Sequence, residues 1–232
     1  MTKFDLSAYL VLGEENTLGR PVEKIVKEAI EGGVTFVQLR SKVSSAKALI
    51  EQCGKISKVL KEFKSKTEKE VAFVVDDRLD VILAARDLGY KVDGIHVGQT
   101  DIPVSICRKL LGPDSIVGLS APTQDLISYV QNIDISPISY FGAGPLHPTE
   151  TKKDCGLNID GTIITQTLDE IDKLGKVSPL PVVVGGGVKL ADIPDLAKTA
   201  IAGWFVVSAI AGAKNPKQAT EELVQAWNAN RK

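Results

Sequence analysis

Two cations stand two residues apart in the string Gln38-Leu39-Arg40-Ser41-Lys42, directly after an apolar run. On extended backbone such residues project from one side, so Arg40 and Lys42 present paired positive charge to a single anion. A phosphate-rich ligand suits that pair, and two solvated charges at a strand end are the plainer alternative. Carboxylates follow neighbouring runs: Asp76 and Asp77 after FVV, and Asp101 after GIHVGQ. Oxygen ligands from separate segments suit Mg²⁺, which takes one or two carboxylates together with substrate phosphate and water. Asp77 with Asp101 is the expected metal pair; capping of the following helix is the competing role, equally weighted for Asp76. Further along, Gly185-Gly186-Gly187 lets backbone N–H groups approach an anion, and Ser208 precedes a short helical turn. A tight turn alone would also use these glycines. Lys152 and Lys153 either add charge to the site or are simply exposed.

Other chemistries find little support. Cys53, Cys107 and Cys155 are odd in number and lack CxxC spacing, so neither a disulfide framework nor a zinc site is expected. The two histidines, His96 and His147, are far apart, and no Ser-His-Asp arrangement is supported. His96 reads as a packed or hydrogen-bonded strand-end residue rather than a metal ligand.

These residues need elements that bring them to one rim. Short β-branched runs alternate with amphipathic stretches along the whole chain, which marks parallel strands with crossover helices. Strands are expected at 9–13, 36–40, 72–76, 94–97, 116–120, 140–144, 181–185 and 204–208. Their near-continuous apolar character fits burial on both faces. PVEKIVKEAI and DLISYVQNI have helical spacing, and the Lys-rich segment 44–67 reads as a helix with a solvated face. A chain of 232 residues accommodates eight βα units, and no Ser/Gly/Pro linker divides it. The expectation is a single-domain (β/α)₈ TIM barrel over residues 1–232. In such a barrel the strands' C-terminal ends carry the working residues, and the site after strands seven and eight commonly holds phosphate. All the candidates above then share one face, with two anion sites and room for two phosphorylated ligands.

Composition narrows the partners. Lys plus Arg (28) nearly balances Asp plus Glu (29), so no global basic field exists for nucleic acid or an anionic membrane. Apolar content of 44% is that of an ordinary folded protein, and no run of about 18 apolar residues suggests a membrane span. The N-terminal stretch lacks a signal-peptide pattern, so a cytoplasmic location is expected. A homo-oligomer is left open.

The strings QLRSK, VVDDRLD, GIHVGQTD, GLSAPT, GAGPLHPTETKKD, VVVGGG and FVVSAI, in that order over residues 38–210, resemble the thiamine phosphate synthase family. The resemblance implies a transferase of thiamine biosynthesis. It would condense a hydroxymethylpyrimidine diphosphate with a hydroxyethylthiazole phosphate, release diphosphate and use Mg²⁺. Arg40, Lys42 and Lys152 would hold the diphosphate, with Asp77 and Asp101 on the metal. Gln38 and Ser120 would face the pyrimidine and its diphosphate, and Asp76 would line the same end. Thr149 and Thr151, with the backbone at Gly186, Val207 and Ser208, would bind the thiazole phosphate. Diphosphate would leave first, and the thiazole nitrogen would trap the resulting pyrimidine-methyl cation.

Three departures from the family pattern stand out. Asp76 occupies a position where the family often has Asn, Pro122 one where it often has His, and the stretch 83–92 is longer than expected. Two further readings stay on the same scaffold, a thiazole tautomerase and a non-catalytic ligand-binding paralogue. A sugar-phosphate isomerase barrel is supported only by the glycine-rich site.

Overall fold

The computed structural model describes residues 4–149 and 163–231. Eight parallel strands close on themselves in sequence order: β1 (Ala8–Leu12), β2 (Phe36–Leu39), β3 (Ala72–Asp76), β4 (Gly94–Val97), β5 (Ile116–Ser120), β6 (Tyr140–Ala143), β7 (Val182–Val184) and β8 (Gly203–Val206). Ala8 pairs with Trp204 and Tyr9 with Phe205 to complete the ring. The (β/α)₈ barrel expected from the alternation is therefore present. The expected strands overran at several mouth ends because residues such as Gly13, Arg40 and Gly144 already turn into loops.

Helices α1 (Val22–Gly32), α2 (Ala46–Thr67), α3 (Leu79–Asp87), α4 (Val104–Leu111), α5 (Leu126–Asn132), α6 (Leu168–Val177), α7 (Ile193–Leu196), α8 (Ser208–Ala211) and α9 (Pro216–Asn230) surround the strands. Local chemistry sets several ends. Ser45 caps α2 by accepting from the Ala48 N–H, Thr167 and Glu170 form a reciprocal capping box on α6, and Gly33 closes α1 at φ 112°. The long stretch 83–92 is accommodated by ending α3 at Asp87 and turning through Gly89; Arg86 Nε then donates to the Val92 carbonyl at 2.8 Å.

Side-chain alternation divides the apolar residues into two cores. Leu10, Val37, Val75 and Ile95 face the helices, whereas Tyr9, Phe36, Val74, Ile116, Tyr140 and Val183 fill the barrel interior. Continuing the inward set toward the strands' C-terminal ends gives Gln38 and Arg40, Asp76, His96, and Ser120. Parity thus places a polar mouth at the ends of β2–β5 above a largely apolar interior. Among the described residues, no helix is long and apolar enough to cross a membrane.

Candidate active site

A cavity of about 1600 Å³ opens at that mouth. It is lined by all the described site candidates: Gln38, Arg40, Lys42, Asp76, Asp77, Asp101, Ser120, Thr149, Gly186, Val207 and Ser208. Pro122 lines it as well. Thr151 and Lys152 lie outside the described residues, as does the second half of the loop 145–154.

On the β2–β4 side the site is a charge network. Arg40 Nε lies 3.2 Å from Asp76 Oδ2 and Lys42 Nζ 3.3 Å from the same oxygen, while Lys42 also pairs with Asp77. Two cations thus converge on one point, as the i, i+2 spacing requires. Asp76 is nearly buried, and burial, reinforced by the neighbouring Asp77 charge, pushes its carboxyl up to about 7 despite Arg40 and Lys42. Burial works against Asp77 too, yet hydrogen bonds from Lys42 and Asp101 hold it below the ordinary carboxylate range. Asp101 moves the other way, raised by burial and by its hydrogen bond with Asp77. Lys42 loses some stability as a cation through burial, but Asp77 and Asp76 more than compensate and hold it above the usual lysine range.

One backbone feature assembles this network. Consecutive strand residues point to opposite faces, so Asp76 and Asp77 would separate if β3 simply continued. Asp77 instead adopts φ 58°, a left-handed conformation that Asp tolerates better than most side chains. Both carboxylates thereby reach Lys42. Neither aspartate caps α3; Arg78 occupies the cap position with no side-chain bond, so the capping alternative does not hold.

Asp77 and Asp101 are expected to act together on a metal, and both line the cavity close enough to perturb each other's carboxyl. Two carboxylates held side by side at the mouth are hard oxygen donors, so the donor set fits Mg²⁺. Among the described residues no three His, Cys, Asp or Glu side chains form a metal-binding cage. A two-carboxylate site would leave the remaining positions to ligand oxygen and water.

The β7–β8 side is built from backbone. Gly186 and Gly187 adopt φ 80° and 73°, and a Cβ at Gly186 would fall 2.6 Å from Pro145 Cβ. The Gly186 carbonyl accepts from the N–H groups of Leu146 and His147, both at 3.0 Å, which ties the β6 loop to the β7 loop. His147 Nε2 lies 2.9 Å from Asp192 Oδ1 and adds a second tie. Opposite, α8 begins at Ser208, where the N–H groups of Ser208 and Ala209 precede the first intrahelical bonds, which Ile210 and Ala211 make to the Val207 carbonyl. Arg20 fixes the other end of α8 by donating to the carbonyls of Ala211 at 2.6 Å and Ala213 at 2.7 Å.

Three participants were not singled out from the sequence. Tyr9 and Tyr140 lie beneath the mouth in hydrogen-bond contact with Gln38 and His96. Gln99 donates to the Ser120 carbonyl at 2.6 Å and accepts from the Tyr129 hydroxyl at 3.0 Å. Inward parity of Tyr9 and Tyr140 was readable; their pairing across 131 positions was not.

Residues 8–210 match the family profile described as thiamine monophosphate synthase. The thiamine-phosphate synthase of Clostridium tetani is 36% identical over 97% of each chain, and that of Persephonella marina 33% identical over 96% of each. The thiamine phosphate pyrophosphorylase of Pyrococcus furiosus superposes with a TM-score of 0.76 at 27% identity, covering 97% of this chain and 96% of that one.

Proposed function

The chain belongs to the thiamine monophosphate synthase family, and on that premise we propose that it joins 4-amino-2-methyl-5-(hydroxymethyl)pyrimidine diphosphate to 4-methyl-5-(2-hydroxyethyl)thiazole phosphate. The products are thiamine phosphate and diphosphate. The observation that carries this reading is a single cavity with two differently built ends, one of charged side chains and one of positive-φ glycine backbone.

Arg40, Lys42 and Lys152 hold the diphosphate, and Gln38, Asp76 and Ser120 face the pyrimidine end. Arg40 and Lys42 exchange their carboxylate partners for phosphate oxygens when substrate enters. Thr149 and Thr151, with the backbone at Gly186, Val207 and Ser208, hold the thiazole phosphate. Asp77 and Asp101 would hold Mg²⁺, which when bound neutralises charge gathering on the diphosphate. The C–O bond to diphosphate breaks with its electron pair leaving on oxygen, and the thiazole nitrogen lone pair forms the new C–N bond. Arg40 and Lys42 stabilise the departing charge, and the opposite rim keeps the second substrate oriented for attack. No protein nucleophile enters this scheme. The protein works as one barrel domain in the cytoplasm.

A thiazole tautomerase would have no use for the Arg40, Lys42, Asp77 and Asp101 assembly, which favours the synthase. The test is incubation with both substrates and Mg²⁺, followed by mass spectrometry for thiamine phosphate. Product that disappears in excess chelator is the expected result; no product, or turnover unaffected by chelator, contradicts the reaction or the metal assignment respectively.

A further inference from the structure

Below the charged rim, four hydrogen bonds link five side chains from five strands. Gln38 Nε2 lies 2.7 Å from Tyr9 Oη, Tyr9 Oη 2.8 Å from Tyr140 Oη, Tyr140 Oη 2.8 Å from His96 Nδ1, and His96 Nε2 2.9 Å from Ser120 Oγ. Tyr9, Tyr140, Gln38 and His96 are all buried. Space for the chain is reserved by glycine: a Cβ on Gly118 would sit 2.3 Å from Tyr140 Cζ and 2.5 Å from His96 Nδ1. A Cβ on Gly142 would lie 3.2 Å from His96 Cε1.

Counting protons gives the chain a direction. An amide nitrogen only donates, so Tyr9 Oη accepts from Gln38. Burial raises both phenols well above their ordinary range, so each keeps its single proton. If Tyr140 donated to Tyr9, the Tyr9 proton would be left buried, whereas its two hydrogen bonds, to Gln38 and Tyr140, both bring it donors. Such an orphan costs about 1–3 kcal/mol. Tyr9 therefore donates to Tyr140, Tyr140 donates to His96 Nδ1, and the neutral imidazole carries its proton on Nε2. That proton goes to Ser120 Oγ. The Ser120 hydroxyl proton is then the one left to point into the cavity.

We propose that Tyr9, Tyr140 and His96 form a one-way hydrogen-bond relay, anchored at the Gln38 amide, that makes Ser120 a donor toward an acceptor atom of the pyrimidine diphosphate. The three are positioning residues, since they act through Gln38 and Ser120; the identity of the ligand at Ser120 rests on the proposed function. A relay of fixed polarity discriminates strongly. Sites built to hydrogen-bond a particular atom reject a ligand of the wrong polarity by large factors because a buried group is left unpaired. Turning the Gln38 amide over would reverse every link and place the imidazole proton on Nδ1, with Ser120 donating inward to His96.

The direct test is ¹⁵N NMR of the ligand-free full-length protein with labelled histidine. The chain has two histidines, and the signal lost in His96→Gln identifies the relevant one. A neutral ring protonated on Nε2 is expected; protonation on Nδ1 overturns the proposal whether or not the enzyme makes thiamine phosphate. Tyr140→Phe should lower kcat/KM for the pyrimidine diphosphate by about tenfold or more, with thiazole phosphate KM changed less than twofold. His96→Gln, whose amide N–H can replace Nε2–H, should recover most of the activity that His96→Leu loses. Equal losses in the two His96 variants, or a Tyr140→Phe protein with unchanged kcat/KM, contradict the relay. If Tyr140→Phe does not fold, Tyr9→Phe breaks the same chain one link earlier and should give the same KM pattern.

Discussion

The two ends of the mouth are built from different materials. At β2–β4, anion recognition is expected from Arg40 and Lys42, which are already engaged by Asp76 and Asp77. At β7–β8 the proposed anion site would rest on positive-φ glycines and the first turn of α8, with Arg20 and the β6 loop as supports. The charged end can reorganise by exchanging partners, so it suits a substrate whose bond must break and whose charge must be carried away. The backbone end has few degrees of freedom and suits a substrate that must only be held still. Charge is needed where charge develops, and rigidity where the nucleophile waits.

The largest effect should come from breaking the rigid end. Gly186→Val places a β-branched side chain at φ 80° and against Pro145, so no rotamer change relieves it. The expected outcome is a loss of about a hundredfold in kcat/KM for thiazole phosphate, with pyrimidine diphosphate affinity nearly unchanged. Steady-state kinetics with each substrate varied in turn checks this. Equal damage to both substrates would show that the two ends are not separable.

Next in size are Asp77→Ala and Asp101→Ala, each expected to lower kcat about tenfold or more, roughly 1.4 kcal/mol of transition-state stabilisation. Raising Mg²⁺ should partly restore each single variant by mass action and leave the double variant inactive. A magnesium titration of kcat for all three proteins separates this from general damage to the fold.

A smaller effect is expected from Arg20→Ala, which frees the C-terminal carbonyls of α8 without touching the cavity's charged end. Thiazole phosphate KM should rise about threefold, and kcat should hold. An unchanged KM would mean that α8 is fixed by packing alone.

Smallest of all is a control on the scaffold beneath both ends. Cys53 on α2 is fully buried, and burial pushes its thiol up to about 12. Because the raised value favours the neutral thiol in the folded state, that contribution to stability is complete below the ordinary thiol range near 8.5 and is lost as pH rises toward 12. Iodoacetamide at about pH 9 should leave Cys53 unlabelled in the native protein and label it in urea, as peptide mass mapping would show. Native labelling would mean the barrel wall itself opens.

The eight strands were legible because burial on both faces leaves an apolar run that turn residues interrupt, and the β2, β3 and β4 rim residues follow from two-residue parity. Parity also hid something. It cannot place Asp76 and Asp77 together, since adjacent strand residues diverge; only the left-handed backbone at Asp77 joins them. The relay was equally hidden, because Tyr9 and Tyr140 look like core aromatics until the barrel closes and brings their hydroxyls within 2.8 Å. Helix capping failed as a reading of the aspartates because their side chains are drawn to Lys42 and Arg40. Short-range propensity lost there to charge pairing.

The claim that the two ends are separate binding devices is tested most directly by calorimetry on Asp77→Ala and Gly186→Val side by side, titrated with Mg²⁺-pyrimidine diphosphate and with thiazole phosphate. Asp77→Ala should lose affinity for the first ligand and keep the second, and Gly186→Val should do the reverse. If both variants bind Mg²⁺-pyrimidine diphosphate like the native protein, or if Asp77→Ala loses thiazole phosphate instead, the assignment of the charged end to the diphosphate is wrong.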